Sequence, residues 1–469
     1  MHQLSGLDAT FLYLESPQAP MHVGGIYIFG DSSGTDYPDF QAFRAHVAAR
    51  LDVARTFRQR LVRVPLNLDH PYWIEDPDFD LDAHLSYQAL AQPGNWETLM
   101  TLAEQFFRRP LDQARPLWEM TFVEGLDSLE EGMGGSIALI VKVHHAAVDG
   151  FSGGEMIWAL LDPKPAPSEH HKAKPWQPAP HPSRLELLTR TVVRTLEQPL
   201  TLAKLAGQMA AGTVRLVKET ILHHVPLPVL PLTAPTTRFN GLVTSNRTLR
   251  AVVLPLHKIQ AIRKMTEGAT VNDVVLAICA GALRCYLDVQ RELPEKPLIA
   301  AVPISIRSPD NWQDMGNRVI SMLVSLATDE RDPRKRFQLI HDSALRSKGD
   351  FQALGLDRIS DLIPSTLTPL IGRIYTGLGV ARWLRPVFNL FITNVPGPRQ
   401  PLYLGNARLL YHLGMAPIFD GLGLILVATS YLDTLVISAT SCQEIIPDLD
   451  AFIHHLQESF AELETLAVA

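Results

Sequence analysis

At 469 residues the chain is longer than one hydrophobic core ordinarily supports, so two or more folded units are expected. A net charge of −7 and a pI near 6.2 exclude the basic excess of a nucleic-acid binder. Three cysteines, Cys279, Cys285 and Cys442, fall at no metal-ligand spacing, so neither a disulfide framework nor a zinc site is expected.

The opening stretch "MHQLSGLDATFLYLE" lacks the basic and apolar regions of a signal peptide, which gives a cytoplasmic expectation. "HVGGIYIFG" then reads as a strand, "FQAFRAHVAARLD" as a helix, "WEMTFVEGL" as a strand and "SIALIVKVHH" as a buried strand. Seven prolines between Pro163 and Pro182 form a tract that holds no ladder of backbone hydrogen bonds and reads as an exposed linker. Residues 183–222 read as helical with a kink at Pro199, and a second proline-rich passage, 223–237, follows.

The chain therefore divides into an N-terminal lobe, 1–161, a linker with connecting helices, 162–235, and a C-terminal lobe, 236–469. In the last of these, "VNDVVLAICAGALRCYLD" is an apolar helix on which Cys279 and Cys285 read as core residues. Around it "RTLRAVVLPL", "PLIAAVPISIR", "RVISMLVSL", "FNLFITNV", "ARLLYHLGM", "GLILVATSYL" and "TLVISATSC" read as strands. The pattern predicts a mixed α/β protein in two lobes. No glycine-rich phosphate loop follows a strand, which argues against a doubly wound nucleotide-binding fold. "GLGLILVATSYL" is too short to cross a membrane. Residues 365–386 are longer but carry Arg373, Arg382 and Arg385, and read as a core helix with basic edges or as a lipid-surface segment.

"KVHHAAVDG", residues 142–150, is the stretch that looks chemical. Side chains alternate along a strand, so His144 and His145 point to opposite faces. His145 shares its face with Val143, Val141 and Leu139, the drier side, where burial keeps an imidazole neutral and ready to accept a proton. Asp149-Gly150 is turn chemistry, and Ser152 with Glu155 forms a capping box that opens a helix. A strand, a tight loop and a helix start thus hold His145 as a candidate general base; a satisfied structural histidine is the alternative.

His-His-Ala-Ala-Val-Asp-Gly resembles the HHxxxDG signature of the CoA-dependent acyltransferase superfamily. "LSGLDATFLYLE", "PMHVGG", "RPLWE", "VNDVVLA", "VPISIR" and "TNVPGP" in turn resemble blocks of the bacterial wax ester synthase/diacylglycerol acyltransferase family. The resemblance implies a two-lobed chloramphenicol acetyltransferase-like fold with its site in a channel between the lobes. It implies acyl transfer from acyl-CoA to a long-chain alcohol or diacylglycerol, with His145 as base, no metal and no cofactor beyond acyl-CoA as substrate. Asp149, beside Gly150, would shape the loop through an arginine, Arg307 being the candidate. Asn272 is the first candidate for the oxyanion donor, or else a helix N-cap, with Thr393 and Asn394 behind it. Pro116, Leu117 and Trp118 would line a substrate pocket, or else lead into a strand with Trp118 in the core; Asp273, Thr393 and Asn394 complete the substrate-binding set. The glycines of "MHVGG" would let a lipid chain pass close to the backbone, and His22 reads as structural. The products partition into lipid, so contact with a membrane or lipid-droplet surface is expected. Two rivals stay open: a condensation-type enzyme using a carrier-protein thioester, and a lipid-binding protein that keeps the fold without turnover.

Overall fold

The computed structural model describes residues 1–30, 38–129, 135–148, 153–165, 176, 178, 181–193, 233–305, 319–354 and 385–468. Asp149, Gly150, Ser152, Pro199 and Arg307 lie outside the described residues, as do the Glu155 side chain and most of 365–386.

The strands are β1 (His2–Gln3), β2 (His22–Gly30), β3 (Gln59–Val62), β4 (Tyr72–Glu75), β5 (Leu85–Ala89), β6 (Trp118–Leu126), β7 (Ser136–His144) and β8 (Arg247–Pro255). They continue with β9 (Ile299–Ser305), β10 (Val319–Ser325), β11 (Leu390–Pro396), β12 (Tyr403–Leu404), β13 (Ala407–Met415), β14 (Leu424–Tyr431) and β15 (Thr434–Cys442). The helices are α1 (Gly6–Leu14), α2 (Phe40–Ala49), α3 (Trp96–Arg108), α4 (Gly153–Trp158), α5 (184–193), α6 (Leu256–Arg263), α7 (Val271–Val289), α8 (Pro333–Leu354) and α9 (Leu449–Val468).

One six-stranded sheet runs β12-β13-β2-β7-β6-β5, a second runs β10-β9-β11-β14-β15-β8, and a small sheet runs β1-β4-β3. The first sheet is not built from the N-terminal half alone. Strands β12 and β13 cross back from the second half, and β13 pairs antiparallel with β2 along most of its length. The division at 161 and 236 is thus not the division between sheets.

β7 is the centre of the first sheet and is buried at every position, which is why it reads as a continuous apolar run. Its Leu139, Val141 and Val143 pack with Phe43, Val47 and Ile157 from α2 and α4. Ala138 and Ile140, on the other face, pack under Met100, Ala103 and Phe107 of α3, together with Leu249 and Val436 of the second sheet. Both faces are therefore dry, and the expected distinction between a wet and a dry side of this strand does not exist. Helices α7 and α9 cover the second sheet in a separate core.

Gly24 and Gly25 serve the first sheet rather than a channel. A Cβ at Gly24 would sit 1.9 Å from the Val141 carbonyl oxygen, and one at Gly25 would sit 2.4 Å from that of Leu413. The neighbouring strands β7 and β13 approach too closely for any side chain there.

Candidate active site

The chain leaves β7 at His144 and enters a short 3-10 turn, His145–Ala147. This turn, not strand alternation, makes the two histidines unlike. His144 is fully buried and caps the turn: its Nδ1 accepts from the Ala146 N–H at 3.0 Å. That bond requires an unprotonated Nδ1, so neutral His144 carries its proton on Nε2. Nε2 lies 3.5 Å from Glu15 Oε1. Glu15 also accepts from the Met21 N–H at 3.4 Å and from Gln113 Nε2 at 2.5 Å. Burial raises the Glu15 carboxyl, but the hydrogen bonding of His144, Met21 and Gln113 outweighs it and leaves the group below its ordinary value.

His145 is half-buried. Its ring stacks on Phe11 of α1, centroids 3.7 Å apart and planes within 10°. Its N–H donates to the Met21 carbonyl at 2.7 Å. Burial pushes its pKa down to about 4, the neighbouring His144 adds to this, and its own backbone favours the proton. Nδ1 is sealed from solvent with no partner in another described residue. Proton exchange with an incoming molecule therefore falls to Nε2, and the ring is neutral across the physiological range.

His22 closes the cluster from β2, paired in register with His144. It is buried, accepts from the Leu111 N–H at 3.3 Å, and is held well below its ordinary pKa by burial and by Lys142, His144 and Arg247. These contacts tie it to the first sheet. Lys142 is fully buried as well. It donates to the Phe106 and Arg109 carbonyls at the end of α3 and pairs with Glu119 at 3.0 Å.

Pro116, Leu117 and Trp118 support this cluster from inside the first core. The Leu117 carbonyl accepts from the His144 N–H at 2.9 Å. Trp118 is fully buried, donates from Nε1 to the Phe57 carbonyl at 3.0 Å and stacks on His84 at 4.5 Å. All three residues are buried where the chain leads into β6.

On the second lobe Asn272 is not an N-cap. Thr270 caps α7, and Asp273 closes a reciprocal capping box with it. Asp273 Oδ2 also meets His341 Nδ1 at 3.0 Å. Oδ2 of this buried carboxylate is thus engaged by its own helix and by α8. Asn272 stands half-buried in the first turn of α7, and Thr393 and Asn394 are half-buried on β11. The link between these residues and the histidines is Phe11. Stacked on His145, it packs against the second core, against which Val271, the chain neighbour of Asn272, and Phe391 of β11 pack as well.

Cys279 is buried in α7, whereas Cys285 is exposed on the same helix, against the expectation that both are core. Burial raises both thiols, and neither is a poised thiolate. Phe11, Glu15 and Gln113 were not singled out from sequence. An apolar helix ending in glutamate, with Phe and Glu four apart on one face, was the available signal.

Two mixed sheets, the first completed by strands from the second half, with a neutral histidine stacked against the helix that joins their cores, define the class of two-lobed acyltransferases. A trichothecene 15-O-acetyltransferase from Fusarium sporotrichioides has this fold, with a TM-score of 0.62 over 98% of this chain and 94% of that one; at 11% identity the likeness shows the fold alone. The family model described as wax ester synthase/diacylglycerol acyltransferase catalytic domain matches residues 4–275, and its C-terminal domain matches 315–464. The chain belongs to the wax ester synthase/diacylglycerol acyltransferase family. It is 34% identical to a Mycobacterium bovis protein described as a diacylglycerol O-acyltransferase, over 97% of each chain. It is 33% identical to an O-acyltransferase of Acinetobacter baylyi, over 99% of this chain and 97% of that one. The solved wax ester synthase/diacylglycerol acyltransferase of Marinobacter aquaeolei superposes with a TM-score of 0.69, covering both chains fully at 30% identity.

Proposed function

We propose that this enzyme transfers a long-chain fatty acyl group from acyl-CoA to the hydroxyl of a long-chain alcohol or of diacylglycerol, releasing wax ester or triacylglycerol and CoA. The observation that carries the reading is the state of His145: a neutral imidazole whose Nδ1 is sealed, leaving Nε2 as the proton acceptor. An alcohol is far too weak an acid to ionise beforehand, so Nε2 takes the hydroxyl proton as the oxygen attacks the thioester carbonyl. The tetrahedral oxyanion collapses, the carbon–sulfur bond breaks, and the imidazolium returns its proton to the departing CoA thiolate. Asn272 is the donor assigned to the oxyanion, standing where the first turn of α7 adds its positive helix end. Thr393 and Asn394 sit on the same lobe as second-rank donors. His144 positions the turn, Asp149 and Gly150 shape the loop beyond it, and Arg307 is the partner assigned to Asp149.

The test is purified protein with palmitoyl-CoA and either hexadecanol or dioleoylglycerol, following CoA release in the absence of any carrier protein. Release that depends on the acceptor supports the reading. No release with either acceptor overturns it and leaves the carrier-protein or non-catalytic alternatives. Both acceptors reside in lipid, so the enzyme works at a lipid surface; no helix among the described residues is long and apolar enough to cross one.

A further inference from the structure

The hairpin between β3 and β4 ends in a turn that the fold itself does not explain. The Leu68 N–H donates to the Pro65 carbonyl, and the two residues between them, Leu66 and Asn67, both have positive φ, 59° and 53°. This is a primed turn, whose first central position is dominated by Gly, Asn and Asp because a Cβ is disfavoured there. Asn67 obeys the rule. Leu66 breaks it, and its side chain is 88% exposed. A leucine that is both in an unfavourable backbone region and in water adds nothing to the folded state, so its use must lie outside the chain.

We infer that this hairpin tip is the element that inserts into a lipid surface, with Leu66 as its leading side chain. The inference rests on the proposed function only for its purpose. Leu68 beside the tip and Leu185 on α5 are exposed too, and α5 is fixed to this hairpin through Leu187, which is buried with Val62, Val64, Tyr72 and Ile74. The charge fits an anionic headgroup. Although the chain carries a net charge of −7, the stretch from Val53 to Leu68 holds four arginines and no acidic residue. Arg60 is paired with Asp76 and Arg58 lies over Trp176. Arg55 and Arg63 are exposed, and Arg63 donates to the neutral amide of Gln113.

The hairpin is also continuous with the site. His70, at its return, bonds the Tyr13 hydroxyl at 3.1 Å, and its carbonyl accepts from Gln3. Arg63 leads through Gln113 to Glu15 and so to His144. Inserting this tip holds α1, and with it Phe11 over the base, next to the surface where the acceptor resides.

Flotation of the full chain with vesicles of phosphatidylcholine, with and without phosphatidylglycerol, tests the inference. Leu66→Asn gives the turn a residue that accepts positive φ, so the variant melts no lower than wild type while its vesicle partition falls about tenfold. Leu66→Phe keeps the partition, and Val289→Asn, an exposed apolar position at the far end of α7, leaves it unchanged. Wild-type partition weakens several-fold when phosphatidylglycerol is omitted. Turnover of a short, water-dissolved acyl-CoA and alcohol is the same in Leu66→Asn and wild type. Vesicle binding needs no turnover, so it stands or falls apart from the catalytic reading. Undiminished flotation of Leu66→Asn, a wild type that does not float, or a dimer that Leu66→Asn turns into a monomer with flotation intact would each overturn it; the last would give the tip to a second copy of the chain.

Discussion

At the scale of single residues, the proposed reaction gives the two adjacent histidines different work, chemistry to His145 and placement to His144. His145→Ala removes the proton acceptor and is expected to lower kcat about 10²–10⁴-fold with the melting temperature little changed. His144→Ala leaves the Ala146 N–H without its acceptor and Glu15 without its partner, so it is expected to lower stability by about 1–3 kcal/mol and turnover by less. Near-wild-type activity of both variants would remove the assignment. Phe11 is the residue whose contribution is separable by pH. It desolvates the His145 ring, which sits at about 4 mainly through burial. Phe11→Ala admits water, raises the pKa of the base and moves the acid limb of kcat/KM upward from about pH 4. An unmoved limb would reduce Phe11 to packing. His145 stood out as a candidate because the motif and its resemblance named it. Its reason was not legible, because the strand ends one residue earlier than alternation assumes, and the turn sets the two rings apart.

At the scale of elements, most strands were readable because the central ones are continuous apolar runs; β2, β6 and β13–β15 fall within a residue or two of the quoted segments. What stayed hidden was which surface each element meets. Helix α1 has a weakly amphipathic sequence, yet it clasps both histidines, Phe11 over one ring and Glu15, its C-cap, against the other. Such contacts join residues more than a hundred positions apart and leave no local period. The start of α7 shows the same limit. Asn272-Asp273 looked like one site motif, but the structure gives Asp273 the capping box and His341, and leaves Asn272 beside it half-buried. Asp273→Asn is therefore expected to cost about 1–3 kcal/mol in chemical denaturation, as a cap and a buried hydrogen bond weaken together. Asn272→Ala is expected to lower kcat with little change in stability. The opposite pattern would exchange the two roles.

At the scale of the whole molecule, the histidines held neutral by burial and the strands that the second half lends to the first sheet decide how it comes apart. Burial holds His22, His46, His84, His145 and His412 below their ordinary 6.5, so the folded chain binds fewer protons than the unfolded one in that range. Stability from this source is full above pH 6.5 and falls as the pH drops below it. His412 shows the effect at one position: its ring, pushed down to about 3, stacks on Tyr27 at 4.5 Å. His412→Phe keeps the stack and removes the group that must stay neutral, so its denaturation midpoint at pH 5 is expected to lie closer to its pH 8 value than wild type's does. The second consequence is topological. A fragment of residues 1–161 lacks β12 and β13, leaving the β2 edge unpaired along the register that Arg408 to Met415 otherwise fill. It also lacks the Leu249 and Val436 contacts under α3. The other half would leave β13 without its sheet and Asn272 without a base. Either half expressed alone is therefore expected to be inactive and to expose apolar surface. The same chain, folded first and then cut between Pro163 and Pro182, is expected to stay associated and active, because paired strands and buried side chains join the halves. Gel filtration of the nicked protein with a CoA-release assay on the same fraction decides it. Dissociation on nicking would place the cohesion in the connector.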